Sequence, residues 1–242
     1  MSSQLFDQIS ENYARVCGEV GEIAARAGRK SNDVRIVVVT KGHSVEVAQA
    51  VLAAGARDLG ENYPEQGLQK IQEIGSGNEV QWHMIGHVQS RKAALVVEHY
   101  SVLHSLDSLK LARRVNRFAE TLERKFPVLI QANVSGEISK SGWQAASEIG
   151  IHQMLEDVAE LESLPFLTIR GLMTMAPVVD QVDDARPFFA RLRQLRDKLG
   201  TEFPGSVWSE LSMGMSSDYP AAIQEGATMV RIGSAIVGNR PA

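Results

Sequence analysis

A short β-branched run, Arg35-Ile36-Val37-Val38-Val39, decides the fold of this chain. Continuous apolar runs of this length are typical of parallel strands that are covered on both faces. A helical pattern precedes the run, because apolar residues recur at helical spacing from Leu5 to Ala27. A second helical pattern follows at 45–54. The run therefore predicts the first strand of a parallel α/β sheet, with an extra helix on its N-terminal side.

Strand and helix patterns alternate along the rest of the chain. Between the helical patterns, further strands are predicted at 57–59, 80–85, near 102–103, 128–134, 167–173, 207–211 and 229–232. Eight strands in 242 residues favour a closed (β/α)₈ TIM-type barrel over an open doubly wound sheet. No Gly-x-Gly-x-x-Gly follows the first strand, which weighs against a dinucleotide fold. We therefore expect a single barrel domain over residues 1–242.

Composition and charge argue against several functional classes. The formal net charge is −4, and an acidic surface repels phosphate backbones, so we expect no nucleic-acid partner. The single cysteine, Cys17, permits no internal disulfide. The first residues lack a signal-peptide pattern, and no apolar run approaches the length of a membrane span. The sequence therefore predicts a cytoplasmic protein that does not bind membranes.

The first predicted strand ends in Lys41, where barrels of this type carry their functional residues. A lysine at the end of a buried strand is partly desolvated, which favours the neutral amine that attacks carbonyl groups. The alternative is a lysine that simply leaves the barrel for solvent. A reactive amine here would also suit an aldolase that forms a Schiff base without a cofactor.

The loops after the last two predicted strands form a second feature. Ser212, Gly214 and Ser216 offer hydroxyl groups and open backbone N–H groups, and Gly233 and Ser234 are expected to begin a short final helix. Helix N-termini attract phosphate, and barrels often bind phosphate after strands seven and eight. Ordinary turn chemistry is the alternative. An amine facing a phosphate site across the barrel opening indicates a phosphorylated aldehyde as the ligand.

Three further residue types near the strand ends could contribute to a site. His83 and His87 lie four residues apart on a strand and its loop without a Glu or Cys to complete a metal site, so a structural or cofactor-facing histidine is favoured. Lys140 follows the fifth strand and is a candidate secondary amine. Met213 is expected to line the core or the pocket.

Seven segments, read together, resemble the YggS/PROSC family of pyridoxal phosphate-binding homeostasis proteins. They follow the order of that family over nearly the whole chain, which makes the combination far more specific than any one of them. The segments are Val38-Val39-Thr40-Lys41, Gly60-Glu61-Asn62-Tyr63, Trp82-His83-Met84-Ile85-Gly86, Ser139-Lys140-Ser141-Gly142, Gly171-Leu172-Met173-Thr174-Met175, Leu211-Ser212-Met213-Gly214-Met215-Ser216 and the stretch from Gly226 to Gly233.

The resemblance implies a fold type III barrel, which is shared with the N-terminal domain of alanine racemases. It implies that Lys41 holds pyridoxal 5′-phosphate (PLP) as a Schiff base and that Arg231 faces the pyridine nitrogen. A guanidinium does not give up its proton, so this nitrogen would stay unprotonated and the ring would be a weak electron sink. The phosphate is expected at Ser212, Gly233 and Ser234, and the other expected contacts are Asn62, His83 and Met213.

The function that the resemblance implies is intracellular PLP homeostasis without substrate turnover. Such a protein would hold PLP reversibly and supply it to PLP-dependent apo-enzymes, and we expect it to be a monomer or a weak dimer. The alternative is an alanine-racemase-like enzyme acting on amino acids. Those enzymes add a β-rich C-terminal domain that supplies a catalytic tyrosine, and this sequence stops at Ala242, so we expect that base to be absent.

Overall fold

The computed structural model describes residues 3–75 and 80–240, and its central feature is a closed parallel barrel. Eight of the strands form the barrel, whereas the two-residue β6 pairs only with β5. The ring closes because β1 pairs with β9 and β4 pairs with β5. The strands are β1 (Arg35–Val39), β2 (Asp58–Glu61), β3 (Gln81–Met84), β4 (Val102–Leu106), β5 (Phe126–Asn133), β6 (Trp143–Gln144), β7 (Leu167–Met173), β8 (Glu210–Met215) and β9 (Met229–Ile232). The predicted TIM-type barrel is therefore confirmed.

Helices cover the outside of the barrel between successive strands. They are α1 (Ser3–Arg26), α2 (Val45–Ala53), α3 (Pro64–Ile74), α4 (Ala93–His99), α5 (Leu109–Thr121), α6 (Glu148–Glu162), α7 (Arg186–Glu202), α8 (Tyr219–Gln224) and α9 (Ser234–Val237). The extra helix α1 packs against α2, α8 and α9, and its buried face carries Ile9, Val16 and Val20. The predicted N-terminal helix is thus confirmed.

Side-chain alternation along the strands produces two apolar layers. Val38 faces outward into the large layer between strands and helices, whereas its neighbour Val37 belongs to a small cluster inside the barrel. That inner cluster also contains Leu129, Met173 and Met229. This inner apolar cluster is small, and polar side chains occupy other positions inside the barrel. They are described with the site below.

One predicted strand is displaced, and this affects the site. We expected a strand at 207–211, but β8 runs from Glu210 to Met215. Val207 is exposed, and the Trp208 indole N–H donates to the Phe203 carbonyl oxygen at 2.9 Å, which ties this apolar pair to the end of α7 instead of the sheet. Ser212 and Met213 consequently lie inside the strand, not in the loop after it.

Candidate functional site

A cavity of about 400 Å³ opens at the C-terminal ends of the strands. Its volume lies in the range of small-molecule sites, and its position is the one that barrels use for function. Five of the residues predicted from the sequence line it together: Lys41, Asn62, Arg231, Gly233 and Ser234. The prediction thus placed residues from three separate strand ends, those of β1, β2 and β9, at one site.

A tight turn after β1 aims Lys41 at this cavity. The His43 N–H donates to the Thr40 carbonyl oxygen at 3.1 Å, and Gly42 between them has a φ of +72°, which favours glycine. A Cβ atom at Gly42 would lie 2.8 Å from Cδ of Arg240. The turn therefore leaves room for the Arg240 side chain, which lines the cavity beside Lys41.

The electrostatic surroundings of Lys41 favour its neutral amine. Burial lowers the pKa of Lys41, and the positive charges of Arg240 and Arg231 lower it further, while the carboxylate of Glu61 opposes them. Among the described residues, the Lys41 side chain has no hydrogen-bond or ion-pair partner. A half-buried, unpaired amine of this kind is a nucleophile at lower pH than an exposed lysine.

A buried ion pair supports the end of β1 directly beneath Lys41. The Lys70 ammonium group lies 2.6 Å from Oε1 of Glu61 and donates to the Thr40 carbonyl oxygen at 2.6 Å. The Thr40 hydroxyl also donates to Glu61 Oε1 at 2.6 Å. The sequence analysis missed Lys70, although helical spacing from Gly67 to Ile71 puts it on the buried side of α3. This cluster fixes the backbone from which Lys41 projects.

Asn62 lines the cavity and carries an unpaired acceptor. Its amide oxygen Oδ1 is buried and has no hydrogen-bond partner among the described residues. Buried polar atoms are nearly always paired, so an unpaired one beside a cavity suits a ligand donor. Gly86 fixes the Asn62 backbone, since a Cβ there would lie 2.3 Å from the Asn62 carbonyl oxygen. This acceptor fits a ligand that carries a hydroxyl group, as PLP does on its ring.

Arg231 supplies a buried cation at the floor of the cavity. Its Nη1 donates to the Ser212 hydroxyl at 2.6 Å, and its Nη2 donates to the Thr174 carbonyl oxygen at 2.8 Å. Burial lowers the pKa of Arg231 to about 10, partly opposed by the Asp218 carboxylate, so the group is still charged at neutral pH. Both of these hydrogen-bond partners are neutral, which leaves the positive charge available to a ligand.

The opposite wall of the cavity contains hydroxyl groups and the start of α9. Ser216 lines the cavity, and its hydroxyl accepts the Gly233 N–H at 3.3 Å. Ser234 begins α9 and is exposed to solvent. Arg240 was not among the predicted site residues, whereas Ser216 was named among the hydroxyl groups of the predicted phosphate loops. The serine belongs to a motif quoted above, whereas only tertiary contacts bring the arginine here.

Three predicted residues do not line this cavity. Ser212 is fully buried inside the barrel and reaches the cavity only through Arg231. His83 is also buried in the interior, where it contacts His104 and Asp58. Met213 points the other way, into the layer between strands and helices. Alternation along β3 and β8 explains all three positions: His83 and Ser212 point into the barrel and Met213 points away from it. His83 lies on a strand as predicted, whereas Ser212 and Met213 lie in a strand that begins later than predicted.

The remaining candidates lie at the edge of the site or outside it. Lys140 pairs with Glu137 at 2.8 Å and donates to the carbonyl oxygen of Met175, a cavity residue, at 3.4 Å. His87 is exposed and pairs with Asp107. Within residues 3–75 and 80–240, no group of three or more His, Cys, Asp or Glu could hold a metal ion. Nor does any helix in these ranges have the length and apolar content needed to cross a membrane.

The chain is similar in sequence to a protein family and to several named proteins. The family model described as the alanine racemase N-terminal domain matches residues 13–241. The pyridoxal phosphate homeostasis protein of Vibrio alginolyticus is 37% identical, over 96% of this chain and 97% of that protein. The protein of the same name from Escherichia coli K12 is 38% identical, over 97% of both chains.

Solved structures show the same relationship. PipY of Synechococcus elongatus PCC7942, solved with PLP bound, superposes with a TM-score of 0.82 at 32% identity, over 96% of this chain and all of that one. An alanine racemase from Clostridium difficile 630 has a TM-score of 0.70 at 18% identity, and this chain spans 58% of its length, so it supports the fold alone. The chain therefore belongs to the alanine racemase N-terminal domain family and, within it, to the family of the pyridoxal phosphate homeostasis proteins.

Proposed function

We propose that this protein binds PLP reversibly through a Schiff base on Lys41 and thereby buffers and supplies PLP in the cell, without turning over a substrate. The observation that carries the proposal is the Lys41 amine, which is half-buried, faces the cavity and has a lowered pKa. The cofactor assignment is supported by the PLP-bound relative and by the names of the curated relatives.

The covalent step needs only the amine and the aldehyde. The Lys41 nitrogen adds to the aldehyde carbon, the carbonyl oxygen leaves as water with both amine protons, and a C=N bond remains. Nothing is oxidised or reduced, so water or another amine reverses the step. PLP supplies the electrophilic carbon, and the protein supplies a neutral amine held in place by the Thr40–Glu61–Lys70 cluster beneath it.

The other cavity groups are assigned by charge and hydrogen-bonding capacity. Arg231 is the partner of the pyridine nitrogen, and the unpaired Asn62 oxygen suits the ring hydroxyl. Gly233, Ser234 and Ser216 face the phosphate, with the Arg240 cation nearby. Three residues expected from the sequence lie deeper and act indirectly. Ser212 acts through its hydrogen bond to Arg231, and His83 acts through a chain of hydrogen bonds. Met213 packs behind the strand.

Two features support binding without turnover. Arg231 leaves the pyridine nitrogen unprotonated, so a carbanion on the substrate would gain little from the ring. Among the described residues, no tyrosine lines the cavity, so none is placed to act as a catalytic base there. Tyr219 is buried with its hydroxyl on Glu19, and Tyr63 is largely exposed outside the cavity lining. Losing one general base typically costs about two to four orders of magnitude in rate.

An alanine-racemase-like enzyme is the second candidate, and His43 is the observation that favours it. This histidine lines the cavity, and burial lowers its pKa below the ordinary 6.5, so it is a neutral base at pH 7. We expect no α-deuterium exchange when PLP-loaded protein is incubated with L- or D-alanine in deuterated water. Steady exchange that disappears in both Lys41→Ala and His43→Gln would establish an enzyme.

The partners that follow from this function are PLP-dependent apo-enzymes in the cytoplasm. Transfer to them requires only exchange of one amine for another at an accessible Schiff base, which a cavity open at the barrel end allows. We assign no nucleic-acid or membrane partner, and we expect a monomer or weak dimer in solution.

The binding experiment is a spectrophotometric titration of PLP into the wild type and Lys41→Ala. The wild type should develop the yellow absorbance of a Schiff base and should pass PLP to an added apo-enzyme, restoring its activity. Lys41→Ala should show neither property at the same PLP concentration, while Lys198→Ala, an exposed lysine on α7, should match the wild type. Equal absorbance and delivery by Lys41→Ala would contradict the proposal.

A further inference from the structure

A chain of hydrogen bonds runs through the barrel interior from one end to the other. At the N-terminal end, Asp58 Oδ1 lies 2.8 Å from Nε2 of His83. The other nitrogen of this ring, Nδ1, lies 2.8 Å from Nε2 of His104. Nδ1 of His104 lies 2.8 Å from the Ser212 hydroxyl, which accepts Nη1 of Arg231 at 2.6 Å. Five side chains from β2, β3, β4, β8 and β9 thus connect a carboxylate to the cavity cation.

The two charged ends determine the direction of every bond between them. A carboxylate only accepts, so Nε2 of His83 donates to it, and in a ring with a single N–H the other nitrogen, Nδ1, accepts. His104 must then donate from Nε2, which leaves its own Nδ1 as an acceptor for the Ser212 hydroxyl proton. Arg231 only donates, so the same hydroxyl oxygen accepts from it. Each of the three central groups therefore donates once and accepts once, and no donor or acceptor conflicts with its neighbour.

The surroundings of His104 support a neutral ring for this residue. It is fully buried, and burial together with the nearby His83 ring and the Arg231 cation lowers its pKa well below 6.5. The His83 ring meets it edge to face, with ring centres 5.0 Å apart. The polar chain lies in the closed interior of the barrel, where hydrogen bonds polarise one another and unpaired groups are costly.

From this geometry we propose that His83 and His104 are positioning residues for PLP: they form a one-directional relay that fixes the Arg231 guanidinium and links it to the charge on Asp58. The assignment to PLP rests on the proposed function. The direction of the relay is a property of the protein alone and is testable without a ligand.

The far end of the relay opens to a second cavity, of about 210 Å³, at the N-terminal ends of the strands. His83 lines it together with Arg170 and Glu210, whereas the Asp58 side chain is mostly buried and lies 4.0 Å from Arg35. A substitution at this end, on the opposite side of the barrel from Lys41, should therefore change how PLP is held.

Nitrogen-15 NMR of the ligand-free wild type tests the direction of the relay. The prediction is a protonated Nε2 and a bare Nδ1 in both His83 and His104 at neutral pH. His87→Gln, which removes an exposed histidine outside the relay, helps assign the signals without disturbing them. A proton on Nδ1 of either buried ring would reverse the chain and overturn the proposal. This result stands even if the protein proves not to bind PLP.

Matched variants test the link to the cofactor. His104→Leu removes both hydrogen-bonding functions, so PLP should bind about tenfold more weakly, and the absorbance maximum of the bound form should shift. His104→Gln retains one donor and one acceptor, so affinity and absorbance should stay close to the wild-type values. A purely structural role would lower the yield of folded protein without moving the absorbance maximum.

Asp58→Asn is the remote test, and Arg170→Gln is its control in the same cavity but outside the relay. We expect Asp58→Asn to shift the absorbance of bound PLP and Arg170→Gln to leave it unchanged. If His104→Leu fails to fold, the comparison of Asp58→Asn with Arg170→Gln tests the relay in its place. Wild-type affinity and absorbance in both Asp58→Asn and a folded His104→Leu would overturn the relay, whereas a wild type that binds no PLP would refute the proposed function instead.

Discussion

The two ends of the barrel differ in whether their charged side chains are paired with opposite charges. At the N-terminal end, Arg35 contacts both carboxylate oxygens of Glu210 at 2.6 and 2.7 Å, and Asp58 pairs with His83. At the C-terminal end, Lys41 and Arg231 have no salt-bridge partner among the described residues. Charges that are already paired within the fold are not available to a ligand, whereas charges left unpaired at a cavity are available to one. The comparison favours the C-terminal end as the one that is suited to a ligand.

The largest expected effect is on the free energy of unfolding. It concerns the buried Lys70–Glu61 pair beneath Lys41, which is a paired charge at the end of the barrel where Lys41 is unpaired. Lys70→Met leaves the fully buried Glu61 carboxylate without its partner, and breaking such a pair costs about 3–5 kcal/mol of unfolding free energy. Urea unfolding measures the loss. Lys198→Met, at an exposed position of α7, should stay close to the wild type.

The double variant Lys70→Met/Glu61→Gln sharpens this experiment. Removing the orphaned charge should restore part of the lost stability, because the pair acts as a unit. A Lys70→Met protein that unfolds within about 0.5 kcal/mol of the wild type would mean that the cluster does not support the end of β1.

A smaller effect is expected at the phosphate end of the cavity. Ser234→Asp puts a carboxylate where we place the phosphate, and because Ser234 is exposed, solvent and salt reduce the repulsion to about 2 kcal/mol, or roughly thirtyfold in affinity for PLP. Pyridoxal, which lacks the phosphate, should bind the variant as it binds the wild type. Equal losses for both ligands in the titration would place the phosphate elsewhere.

The smallest effect, at mildly acidic pH, is on the free energy of unfolding and concerns the interior histidine His104. Its pKa in the folded protein lies well below the ordinary 6.5, so at pH below 6.5 the unfolded chain binds more protons than the folded one. Its contribution to stability is therefore complete above pH 6.5 and falls as the pH drops, by up to about 1.4 kcal/mol per pH unit.

The measurement is unfolding free energy against pH for the wild type and His104→Gln. The difference between the two curves should carry this slope below pH 6.5, whereas His152→Gln, at a highly exposed position, should follow the wild type. Parallel curves for wild type and His104→Gln would show that His104 titrates in the folded protein as it does in the unfolded chain.

The sequence predicted those parts of the site that depend on local pattern. Lys41 could be found because it ends a β-branched run, and Gly233 and Ser234 because they lie between the last strand and a short helix. Ser212 was expected to contact the phosphate directly, yet a shift of three residues in the start of β8 places it inside the barrel. The apolar residue Val207 led us to expect a strand there. The sequence pattern does not show that the neighbouring Trp208 packs on the end of α7.

Long-range contacts account for the residues that sequence reasoning missed. Lys70 lies on α3 and Arg240 near the C-terminus, and neither has a local motif that marks it as part of the site. The relay likewise joins residues as far apart as Asp58 and Arg231, and only closure of the barrel brings their strands together. Periodicity predicts which face a residue occupies, but not which residue lies opposite.

The proposed function depends on Lys41 being the main lysine that holds PLP. Borohydride reduction of PLP-loaded protein, followed by peptide mapping, tests it most directly, because reduction makes the Schiff base permanent. The account predicts a pyridoxyl group on the Lys41 peptide, with at most a minor label on Lys140, whose amine is paired with Glu137 at the cavity edge. A label confined to Lys140, or to any lysine other than Lys41, would contradict it.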